Sequence, residues 1–146
     1  MNTDKELLAS EKQAITSTPL ISTDSILMTG NLGADRTRNL RAIAQIETPL
    51  SGGSGTAVTV DLIEADNAAL TTNVVSLASS GAVATATANT NRRLLDIPLP
   101  KLSKAYVGFR YTAATGAYGA GTITAGFVVG SDSAVADYPT FESHGF

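Results

Sequence analysis

The chain has no cysteine and no tryptophan, and its one histidine, His144, lies close to the C-terminal end. Without cysteine there is no disulfide framework and no zinc–thiolate site. A lone histidine so near the end leaves the body without a catalytic imidazole or a multi-histidine metal site. Charge is sparse: Asp, Glu, Lys and Arg make up 16%, against the usual quarter. The formal net charge of −3 argues against a general nucleic-acid binder. No window approaches the roughly 18 apolar residues of a membrane-spanning helix. The opening lacks the basic start and apolar run of a signal peptide, because Leu7-Leu8 is followed by charge at Glu11. No Asn-X-Ser/Thr sequon occurs. The expectation is a soluble product made in a cytoplasm, with no cofactor or metal and no nucleic-acid or membrane partner.

What is present is small and β-prone. Ala, Thr, Ser and Gly make up nearly half of the 146 residues, a length that suits one domain. Period-2 alternation recurs along the chain. Val58, Val60 and Leu62 face one way, against Thr59, Asp61 and Ile63. Val107, Phe109 and Tyr111 alternate with Tyr106, Gly108 and Arg110, and Ile123, Ala125, Phe127 and Val129 share a face. Residues 40–47 read as a strand with Leu40, Ala42, Ala44 and Ile46 on one side, ended by Pro49 and Gly52-Gly-Ser-Gly55. A strand over 73–79 is expected to turn Val75 and Leu77 inward. Pro98 and Pro100 cannot donate ladder hydrogen bonds, so residues 92–100 leave the sheet or run along its edge. Helix-like turns are expected only near Asp4 to Ser10 or Ala65 to Leu70.

About eight short strands without crossover helices imply an all-β antiparallel sandwich or barrel. The expected division is an N-terminal arm over 1–12, a β-sandwich over 13–130 and a C-terminal arm over 131–146. The last of these holds Tyr138, Phe141 and Phe146, three of eight aromatics. Leaving them in water is costly, so they are candidates for contact with a neighbouring subunit.

No chemistry-bearing motif stands out. Gly116-Ala-Tyr-Gly-Ala-Gly121 precedes a strand and lacks the dinucleotide spacing; a hairpin turn is expected. Gly52-Gly-Ser-Gly-Thr56 lacks the Gly-Lys pair of a phosphate loop and is expected to be mobile. Glu64 and Asp66 are expected to be solvated turn acids. Asp61 and Asp96 are expected to face solvent or a partner's arginine, and Arg110 to stack or pair on the sheet's outer face. Arg36, Arg38 and Arg41 form a basic cluster suited to acidic residues on a partner, and Arg92-Arg93 reads the same way more weakly. Serines and threonines lack a positioned base, so no enzyme is expected.

The order of features from Gln13 to Val129 resembles the Bbp16 family of phage capsid cement proteins. The resemblance is carried by Asp4-Lys-Glu-Leu-Leu with Gln13-Ala-Ile-Thr16, and by Val58-Thr-Val-Asp-Leu-Ile-Glu64 followed by Asp66 and a strand ending Ser79-Ser-Gly81. Further on come Arg92 to Pro100 before Tyr106-Val-Gly-Phe-Arg-Tyr-Thr112, and the closing Gly121-Thr-Ile-Thr-Ala-Gly126. The resemblance implies a jelly-roll fold, self-association as a homodimer or homotrimer, and attachment to the major capsid protein on the outside of an assembled head. The aromatic tail beyond Gly130 and the Gly-rich stretch near Gly52 depart from the family pattern. Two rival readings are a glycan-binding sandwich, with Tyr106, Tyr111 and Tyr118 as platforms, and a head–tail or tail component.

Overall fold

Alternation becomes strand wherever one face finds a core. The computed structural model describes residues 7–28, 40–88 and 90–129. Ten strands lie among these residues: β1 Leu8–Ala14, β2 Leu20–Ile21, β3 Ile26–Leu27, β4 Leu40–Ser51, β5 Ala57–Ala65, β6 Val75–Ser79, β7 Val83–Ala84, β8 Arg93–Pro98, β9 Tyr106–Ala114 and β10 Ala120–Val129. They form two antiparallel sheets, one in the order β1-β10-β4-β8, the other β2-β9-β5-β6. In the second sheet, β3 also pairs with β9 and β7 with β5. The fold is all-β, as the alternation predicts.

The core lies between the sheets. Ala42, Ala44 and Ile46 of β4 and Ile123, Ala125 and Phe127 of β10 meet Val58, Val60 and Leu62 of β5 and Val107, Phe109 and Tyr111 of β9. These side chains are buried, and they are the faces that period 2 selects. A second, smaller cluster sits on the outer face of the six-stranded sheet. There Leu70 folds back over Ile63 and Ala65, flanked by Ile21, Val74 and Tyr106. Glycine at 108 makes room for it, since a Cβ there would strike the end of Leu70 and come within 2.8 Å of the Ser22 hydroxyl.

Several local expectations change. Residues 8–14 pair with β10, so residues 8–12 of the expected N-terminal arm belong to the sheet and Leu8–Ser10 is not a turn. Residues 65–70 end β5 and form the expected turn as a single turn, closed by the Leu70 amide on the Asn67 carbonyl at 3.1 Å and ending with Leu70 at a φ of 55°. β4 runs through Pro49 to Ser51, because the register shifts between Ala120 and Thr122 remove the need for a ladder donor there. Val75 is 43% exposed, while Leu77 packs partly on the core. β8 is an edge strand, as Pro98 at its end requires, and Pro100 lies beyond it.

The Gly-rich loop after β4 is not a free loop. Ser54 donates its amide to the Ala117 carbonyl at 3.2 Å, and Gly119 donates to Ser51 at 3.1 Å. The two loops approach so closely that a Cβ at Gly53 would run into the Ala117 carbonyl oxygen. Tyr118 is thereby buried beneath them, its hydroxyl 2.8 Å from that of Thr85.

Candidate functional site

The two ends of the sandwich differ in chemistry. One end is closed by the interlocked loops 52–56 and 115–119. Those loops contain only Gly, Ser, Thr, Ala and the buried Tyr118. The other end carries Glu64, Asp66 and Lys104.

At that second end, Glu64 occupies the last inward position of β5 and is 2% exposed. Its Oε2 accepts the amides of Ser103 at 2.9 Å and Lys104 at 3.1 Å, and its Oε1 accepts the Ser103 hydroxyl at 2.7 Å. The carboxylate thus supplies acceptors to a loop with no ladder of its own. Burial pushes the Glu64 carboxyl up. The Ser103 hydroxyl and amide, the Lys104 amide and the Lys104 charge outweigh it and hold the group below its ordinary value. The expectation of a solvated turn acid is therefore corrected for Glu64: the side chain points inward and latches the β8–β9 loop. Asp66 is exposed as expected. The Asn73 amide and Lys104 hold its carboxyl below the ordinary value. Lys104 Nζ lies 3.0 Å from Asp66 Oδ1, and Asn73 Nδ2 2.7 Å from Oδ2.

The outer faces carry cross-strand ion pairs. Arg110 and Asp61 lie directly opposite on β9 and β5, with Arg110 Nη2 2.8 Å from Asp61 Oδ2. Arg110 pairs as expected. Asp61 is satisfied within the chain instead of facing solvent or a partner's arginine. On the four-stranded sheet, Arg41 Nε donates to Asp96 Oδ1 at 2.8 Å and Arg93 Nη1 to Asp96 Oδ2 at 2.7 Å. Asp96 too is satisfied internally, and it engages one member of the expected basic cluster, Arg41. Arg36 and Arg38 lie outside the described residues, as do Tyr138, Phe141, Phe146 and His144. Arg92 Nη1 bonds the Thr87 carbonyl at 3.1 Å.

The tyrosines offered as glycan platforms do not form one. Tyr111 and Tyr118 are 0% and 4% exposed. Tyr111 donates its hydroxyl to Ser10 Oγ at 2.8 Å across the sandwich, and burial pushes its phenol up. Tyr106 is half-buried against the Leu70 cluster. Among the described residues, no group of three or more His, Cys, Asp or Glu side chains is poised to hold a metal. No helix among them is long and apolar enough to cross a membrane.

The geometry defines a two-sheet antiparallel sandwich pinned at both ends by loop contacts. A family model, Bbp16, matches residues 9–127, and the chain belongs to the Bbp16 family. That family is phage-related. No curated protein matches the chain.

Proposed function

We propose that this protein is a non-enzymatic virion structural protein. In this reading it binds the outside of the assembled phage head and cements neighbouring major capsid protein subunits. It associates with copies of itself, and it is made in the host cytoplasm before joining the outer capsid surface.

The observation that carries the reading is the reach of the family match. It spans residues 9–127, from β1 to β10, so the phage association belongs to the sandwich and not to an appended segment. The strand order adds support. The chain alternates between sheets so that β1-β10-β4-β8 lie in one and β2-β9-β5-β6 in the other. We read this order as a jelly roll, two Greek keys wound together.

A ligand that recognises only the assembled lattice stabilises it by mass action, because separated subunits offer no matching site. A sandwich with both ends pinned suits this work, since it transmits load without deforming. Copies that associate add avidity, about 10²–10⁴ beyond one contact.

The test is direct. Heads lacking the protein are incubated with it, sedimented and heated. The expected result is co-sedimentation and a higher temperature of genome release. Heads that neither retain the protein nor gain heat resistance overturn the reading.

A further inference from the structure

We draw no further inference here: the strongest candidate, the outer edge of β6 at the margin of the six-stranded sheet, where Val75 is exposed and no charged residue stands between Asp66 and Arg92, carries nothing, because nothing in the structure shows what covers it.

Discussion

Glu64 and Ser103, thirty-nine positions apart in sequence, are joined twice: the serine donates both its amide, at 2.9 Å, and its hydroxyl, at 2.7 Å, to one buried carboxylate. The pair ties the end of β5 to the loop before β9. Because the bonds require the charged form, the folded-state pKa is held below its ordinary 4.5. A depressed carboxyl contributes stability above its unfolded value and loses it as pH falls through the folded one. Glu64→Gln is expected to destabilise the protein by about 1–3 kcal/mol at pH 7, since charge-assisted bonds become neutral ones. Below about pH 4.5 the gap between the two proteins is expected to close. Urea unfolding from pH 7 to pH 3 checks this; parallel curves for the two proteins contradict the latch.

The buried hydroxyl pair Tyr111–Ser10 predicts an asymmetry. Tyr111 donates to Ser10 Oγ, and Ser10 donates on to Gln13 Oε1. Tyr111→Phe removes one bond and leaves Ser10 its other partner, so it is expected to cost about 1 kcal/mol. Ser10→Ala strands a phenol that is fully buried and is expected to cost more, about 2–3 kcal/mol. The double variant is expected to recover part of that loss. Denaturant unfolding of the three proteins measures the cycle, and equal single-variant costs contradict this assignment.

Much of this core was legible from period 2. Phe109 and Phe127, read as inward from their strands, meet across the sheets with centroids 5.4 Å apart. Such a pairing needs no more than the right face on each strand. Glu64 was misread because its alternation parity, inward, conflicts with its chemistry, and the donors that resolve the conflict lie far away in sequence. Ile63 reads as outward and is; that the outer face would be covered there depends on Leu70 returning over Gly108, which no local pattern announces. The aspartates at 61 and 96 looked free for a partner because strand register, which brings Arg110 and Arg41 to them, is not written in either strand alone.

The arginine–aspartate group on the four-stranded sheet is expected to matter little for stability. Arg41, Arg93 and Asp96 are about a third exposed at their side chains, and ion pairs in that setting contribute about 0–1 kcal/mol. Arg41→Gln is expected to shift thermal unfolding by no more than a few degrees. A larger loss would mean that Arg41 carries packing as well as charge.

Two glycines with nearly the same backbone conformation separate strain from collision. Gly53 has a φ of 63° and Gly81 a φ of 70°. Around Gly81 nothing lies within 4 Å of an added Cβ, whereas at Gly53 the Cβ meets the backbone of the β9–β10 loop at Gly119 N, 3.0 Å, and Tyr118 C, 3.2 Å. Gly81→Ala is therefore expected to cost only the left-handed penalty, about 1–2 kcal/mol. Gly53→Ala carries the same penalty and also forces the two loops apart, loosening the cover over Tyr118, for a further 1–3 kcal/mol or about that. Opening the cover also has a signature of its own: the fraction of tyrosine fluorescence accessible to a neutral quencher is expected to rise in the Gly53 variant, as Tyr118 is uncovered, and to stay at the wild-type value in the Gly81 variant. Equal costs and equal quenching would mean that the loops are not interlocked in solution.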